Sequence, residues 1–156
     1  MRTAYRILAY LIVLEVLIQS AAIAFAVFGE AKWITGGGVL DKATIESHSA
    51  NFTGVVGFSV HGMNGQYVVP LLALLLLVVS FFAKIPRGVM FAGIVFVLVL
   101  TQVFLGIFGR AVPGLGLLHG VNALVLFAIA HLAAHRTTAS PAQPRTATPV
   151  GTTGVA

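Results

Sequence analysis

The segment Val68-Val69-Pro70-Leu71-Leu72-Ala73-Leu74-Leu75-Leu76-Leu77-Val78-Val79-Ser80-Phe81-Phe82-Ala83, followed by Lys84-Ile85-Pro86-Arg87 and then by Gly88-Val89-Met90-Phe91, decides the fold. An apolar run meets a four-residue turn with two cations and gives way at once to another apolar run. Neither run alternates, so neither reads as the half-lipid, half-water strand of a barrel. Each is long enough, at roughly 20 residues, to cross about 30 Å of hydrocarbon as a helix. The segment is therefore the tip of a transmembrane helical hairpin.

Working outward, two more runs complete the pattern. The spacing predicts spans over about 5–28, 55–83, 89–108 and 116–135. The expected fold class is all-α, an integral membrane four-helix bundle in one domain over 1–136. Composition agrees: 58% of the residues are hydrophobic, 8% are charged, and the mean hydropathy is +1.02. Soluble domains carry about 25% charge, so lipid is the expected solvent.

The net charge of +5 does not signal nucleic acid. The cations sit at chain ends and in short connections, not along a folded face. Arg2, Arg6, Lys84, Arg87, Arg136 and Arg145 fall on one side, and Lys32, Lys42 and Arg110 on the other. Six against three puts both termini in the cytoplasm by the positive-inside rule, with a long outer loop between the first and second helices. Trp33 fits an interfacial anchor. The loop, 29–54, begins flexibly at Gly36-Gly37-Gly38, and Asp41 is placed to cap a short helix ending near His48. It is long enough to fold back as a lid. The tail, 137–156, is rich in Thr, Ala and Pro and reads as disordered. The basic start followed by an apolar run resembles a signal peptide. The run is longer than a signal core and contains Glu15, so an uncleaved span is expected; cleavage near Ala24–Ala26 would leave three spans. The absence of cysteine excludes disulfides, thiolate metal sites and iron–sulfur clusters.

A short repeat carries the chemistry. His61-Gly62-Met63-Asn64-Gly65 in the second span and His119-Gly120-Val121-Asn122-Ala123 in the fourth both read His-Gly-apolar-Asn-small. The two spans run in the same direction, and each histidine lies roughly 7–8 Å below the outer end of its helix. His and Asn at i and i+3 share a face, together with Gly65 or Ala123 at i+4. The small residues, including Gly62 and Gly120, admit a close-lying surface, either a helix or a flat macrocycle.

Two neutral imidazoles facing each other across a bundle suit the iron of a haem b. His61 and His119 are the expected iron ligands, Asn64 and Asn122 would orient them or touch the haem edge, and Arg110 is placed to pair with a propionate. Plain interhelical packing competes with this reading. Two matched imidazoles within spans favour function. Zinc is less suited, because two histidines leave it short of ligands.

Glu15 is the only acid within a span, and Gln19 shares its face one turn on. Gln102 of the third span lies at a depth comparable to Gln19. An interhelical polar cluster is expected, with a proton relay or quinone contact as the functional alternative. His131 and His135 lie one turn apart near the inner end of the fourth span. The matching positions of the second span, Ala73 and Leu77, offer no partner for a second haem. His135 beside Arg136 reads as interfacial, and His48 has no clear partner. Pro70 removes the bond to the Gln66 carbonyl and should bend its helix.

Up to about His135 the chain resembles a family of small, uncharacterised bacterial four-span membrane proteins. The resemblance is carried by Gly-Gly-Gly-Val-Leu-Asp at 36–41, Val-Val-Gly-Phe-Ser-Val-His-Gly-Met-Asn-Gly at 55–65 and Gly-Leu-Leu-His-Gly-Val-Asn-Ala-Leu at 116–124. It implies an architecture rather than a chemistry. The layout is also similar to one half of haem A synthase, whose four-helix halves carry haem-ligating histidines on their second and fourth helices and a long outer loop after the first. His61 and His119 hold those positions. Gly57 and Gly62 stand where the synthase has Glu and Arg, and its loop cysteines are absent, so the resemblance implies haem binding and does not extend to haem modification.

The leading expectation is a b-type haem-binding membrane protein active in electron transfer, haem handling or redox sensing, with a redox protein or quinone as partner. The alternatives are a non-catalytic assembly or scaffold subunit, and a small transporter or quinone-handling protein using Glu15. Whether it is an enzyme, and whether it self-associates, stays open.

Overall fold

The computed structural model describes residues 1–136. The expected tail, 137–156, lies outside the described residues. The described chain is all-helical, and four helices are long and apolar enough to cross a membrane: Arg2–Thr35, Val56–Ala83, Gly88–Gly109 and Pro113–His135. They pack in a ring in which each span touches the next and the fourth closes on the first. The second and fourth therefore face each other diagonally.

The boundaries differ from the expected ones in two places. The first helix runs on to Thr35 rather than stopping near residue 28. Glu30, Ala31 and Lys32 are good helix formers, and the chain leaves the helix only at Gly36 of the glycine triplet. The fourth helix starts at Pro113 because proline is suited to the first turn, where no intrahelical N–H bond is required. Between the first two spans, Asp41 Oδ1 accepts from the Thr44 N–H and hydroxyl, each at 2.8 Å, and so caps a short helix, Lys42–Glu46. These bonds stabilise the carboxylate and hold its pKa below the usual value. His48, just past that helix, is exposed and left-handed at φ 51°. The loop is tied back to the first span. Trp33 stacks on Phe52 with ring centres 5.6 Å apart, and Gly54, at φ 102°, lies against the Phe25 carbonyl where a side chain would collide.

Large apolar side chains cover the outside, as lipid requires; Phe28 is 77% and Leu124 72% exposed. The interior is tightly packed only toward the side holding Met1 and the Lys84–Arg87 turn. Tyr5, Ala9, Ile12 and Val16 of the first span meet Ala73, Leu76, Ser80 and Ala83 of the second there. Ala92, Val95 and Val99 of the third span and Leu126, Ala130 and Ala133 of the fourth complete this core. Several of these are alanines, which let helix backbones approach. Toward the long-loop side few residues are buried, and an open groove of about 390 Å³ lies along Ser59, Val60, Met63, Asn64, Tyr67 and Val68.

The buried positions reveal a repeat of whole hairpins. Tyr5, Ala9, Ile12, Val16 and Gln19 correspond one by one to Gly88, Ala92, Val95, Val99 and Gln102, and the first four of each set are buried. The segments Val16-Leu17-Ile18-Gln19 and Val99-Leu100-Thr101-Gln102 share three identities. At the start of the repeat its own mates touch: the Tyr5 hydroxyl donates to the Gly88 carbonyl at 3.0 Å.

The second span departs from the repeat by one residue. His119, Leu126, Ala130 and Ala133 line the inner face of the fourth span; in the second, His61 is followed by Val69, Ala73 and Leu76. The first interval is seven residues in one and eight in the other. The extra residue is absorbed by a π-helical turn, Asn64–Val68, in which the Val69 N–H donates to the Asn64 carbonyl. Pro70 follows directly. Its missing N–H and its ring exclude the normal bond to Gln66, and a widened turn stands at this point of the helix. Counting back from Ala73 and Val69 in α-helical steps would bring Gly62 to the inner face; the π turn brings His61 there instead. It also corrects the partners of His131 and His135 on the second span from Ala73 and Leu77 to Leu74 and Val78, which still offer no ligand.

Candidate functional site

His61 and His119 face each other across the loosely packed half, with ring centres 6.0 Å apart and planes inclined by 62°. Each ring is anchored to the span that precedes it. His61 Nδ1 is 3.1 Å from the backbone oxygen of Gln19, and His119 Nδ1 is 3.0 Å from that of Gln102. A carbonyl oxygen only accepts, so both Nδ1 atoms carry the proton and both Nε2 atoms keep a lone pair. This is the arrangement in which a second hydrogen bond fixes the tautomer and orientation of a metal-binding imidazole.

The asparagines extend the same frame one turn deeper. Asn122 Nδ2 donates to the Leu98 carbonyl at 3.0 Å and to Gln102 Oε1 at 2.5 Å. Gln102 Nε2 in turn donates to the His119 carbonyl at 3.0 Å. In the other hairpin Asn64 Nδ2 donates to Glu15 Oε2. Glu15 and Leu98 hold the same place in the repeat, four residues before the glutamine. Gln19 does not copy Gln102 fully: its Nε2 is buried without a partner.

The glycines divide by role. A Cβ on Gly62 or on Gly120 would meet nothing within 4 Å, so no helix covers either position. Gly65 lies against the Gln19 side chain, where a Cβ would stand 3.3 Å from Oε1. Gly57 is pressed onto the Ala22 carbonyl so closely that any side chain would collide, which explains why no carboxylate stands at that position. Gly106, one turn beyond Gln102, went unnoticed in the sequence because its contribution is an absent atom. A Cβ there would lie 3.1 Å from His119 Cε1, so the glycine clears the space in which that ring sits. Arg110 caps the third span and is exposed.

His131 and His135 form a separate cluster at the opposite end, their ring centres 4.4 Å apart and each 6.2 Å from that of Tyr10. Arg136 turns away from it to lie 4.4 Å above the Phe91 ring.

The residues present fit a haem on four counts. Two imidazoles bound on opposite sides of one metal, at about 2.0–2.1 Å each, have ring centres roughly 6.3 Å apart, close to the separation seen. Both Nε2 atoms have the lone pair a metal requires. The glycine after each histidine opens a flat face. The pair lies in the half of the bundle where few residues are buried. Among the described residues no group of three or more histidine or acidic side chains converges.

Comparison with models of known families, with characterised proteins and with solved structures found no match.

Proposed function

We propose that this chain is a multi-pass protein of the cell membrane that binds one haem b between His61 and His119 near the outer face and serves electron transfer or haem handling. Both termini are cytoplasmic in this reading, which makes the 36–55 connection the outer loop. The observation that carries it is the matched pair of anchored rings. Each is tied through Nδ1 to a glutamine carbonyl, with the two centres 6.0 Å apart.

A bound haem supplies a one-electron redox centre; the protein supplies everything around it. Gln19 and Gln102, through their backbone oxygens, hold the imidazoles in the tautomer that leaves Nε2 available. Asn64 and Asn122 brace the same helices one turn deeper. Gly62 and Gly120 leave the approach open, and lipid and apolar side chains exclude water. Arg110 is placed on the outer side to meet a carboxylate of the cofactor.

The test is the absorption spectrum of detergent-purified protein, oxidised and then reduced with dithionite, from cells supplied with haem. A low-spin spectrum is expected in the wild type. His61→Ala and His119→Ala should each abolish it while circular dichroism shows the helices intact. A colourless wild type overturns the reading. It would favour the scaffold alternative, in which the Asn122–Gln102 and Asn64–Glu15 bonds hold helices together and nothing else.

A further inference from the structure

The two hairpins differ chemically at one inner position of their shared frame. Asn122 is satisfied by a backbone carbonyl and an amide, with the hydrocarbon side chain of Leu98 at the matching place. The second hairpin therefore shows that the frame closes without a charge. In the first hairpin the matching place is Glu15, and its carboxylate takes the Asn64 amide. A carboxyl group within a span is costly and is kept where it is used. Lying one helical turn from the histidine level, Glu15 is positioned to respond to the charge of whatever that pair binds.

We propose that Glu15 is the proton-accepting group coupled to reduction of the centre held by His61 and His119; this rests on the haem reading given above. One electron from a one-electron donor would reduce the centre, and one proton taken from the aqueous phase would convert the Glu15 carboxylate to its neutral acid. The net charge of the assembly within the span is then unchanged. In a medium of low dielectric an uncompensated charge interacts far more strongly than in water, so the two arrivals are linked. Asn64 holds the carboxylate in place at Oε2.

The surrounding groups leave Glu15 as the acceptor. The first span contributes Tyr10 and Gln19, and Arg6 lies roughly 13 Å away along the axis. The second contributes His61, Asn64 and Tyr67. The third contributes Gln102 and has charges only beyond its ends, at Arg87 and Arg110. The fourth contributes His119, and His131 and His135 at its far end. No other acidic or basic side chain lies in the second, third or fourth span.

The experiment is a redox titration of purified protein as a function of pH. In the wild type the midpoint potential should fall by about 59 mV per pH unit over part of the range, the value for one proton per electron. Glu15→Gln should keep the low-spin spectrum and lose that slope. A pH-independent wild type, or a slope that persists in Glu15→Gln, overturns the proposal while leaving haem binding intact. A protein with no haem spectrum overturns both readings, and so is told apart. Should Glu15→Gln fail to fold, infrared difference spectra of the wild type decide. Reduction should produce a protonated-carboxyl C=O band that moves in D2O, and its absence overturns the proposal.

Discussion

A histidine side chain has two nitrogens, and what one is bonded to decides what the other can do. Here both Nδ1 atoms are committed to main-chain oxygens. That commitment was not legible in the sequence, because the acceptor belongs to the backbone and any residue at position 19 or 102 would supply it. What was legible is the His-Gly-apolar-Asn-small repeat, since identity and spacing put His and Asn on one face. The same logic explains why Gly106 escaped notice: a glycine in an apolar run signals nothing until its neighbour is known. It also yields a prediction. In Gly106→Ala the new Cβ would sit 3.1 Å from His119 Cε1, and either the ring or the third helix must give way. Overpacking of this kind costs about 1–3 kcal/mol. We expect Gly106→Ala to lower the melting temperature and to weaken haem retention on dilution in detergent. Gly93→Ala, on the same helix but facing open space, should change neither. Equal behaviour of the two variants would show that His119 does not depend on the clearance.

At the scale of elements, the π turn of the second span is the feature that aligns the site. Proline at position 70 announced a disturbance, but a proline alone does not say whether a helix bends or takes in a residue. The count from histidine to core does: eight residues in one span against seven in the other. That count needs the buried set, which a wholly apolar helix does not display, because every face looks alike in sequence. Deleting Gln66 should therefore be tolerated better than a deletion at the matching level of the fourth span. It restores the seven-residue interval, so the helix can run as a continuous α-helix with His61 and Val69 still on the inner face. Deleting Leu124 shortens an interval that is already α-helical and turns His119 by about 100° away from its partner. Retention of the low-spin spectrum by the Gln66 deletion and its loss from the Leu124 deletion is the expected pair of results. Loss in both would mean that the π turn itself shapes the pocket, by way of the groove that Asn64, Tyr67 and Val68 line.

For the whole molecule, the two hairpins run in parallel and repeat each other from Tyr5 and Gly88 through Gln19 and Gln102. The sequence shows the four spans plainly, because each is a long apolar run bounded by turn residues or charges. It hides the repeat of the odd spans, whose identities from Tyr5 and Gly88 to Gln19 and Gln102 amount to one alanine and Val-Leu-x-Gln in an apolar background. The repeat bears on orientation: spans one and three must cross the bilayer in the same direction, so one reporter on each side fixes the whole topology. The absence of cysteine makes single-cysteine reporters clean. Ser47→Cys lies beside the short loop helix and is exposed; Pro86→Cys lies in the basic turn and is exposed. With Arg2, Arg6, Lys84, Arg87 and Arg136 on the turn side, membrane-impermeant maleimide should label Ser47→Cys in intact cells and Pro86→Cys only after permeabilisation. The reverse pattern would move the histidine pair to the cytoplasmic face and give it a cytoplasmic redox partner, with the bundle unchanged. Labelling of both in intact cells would mean that the hairpin of the second and third spans does not cross the bilayer as a unit. That would be incompatible with the ring of four helices that brings His61 opposite His119.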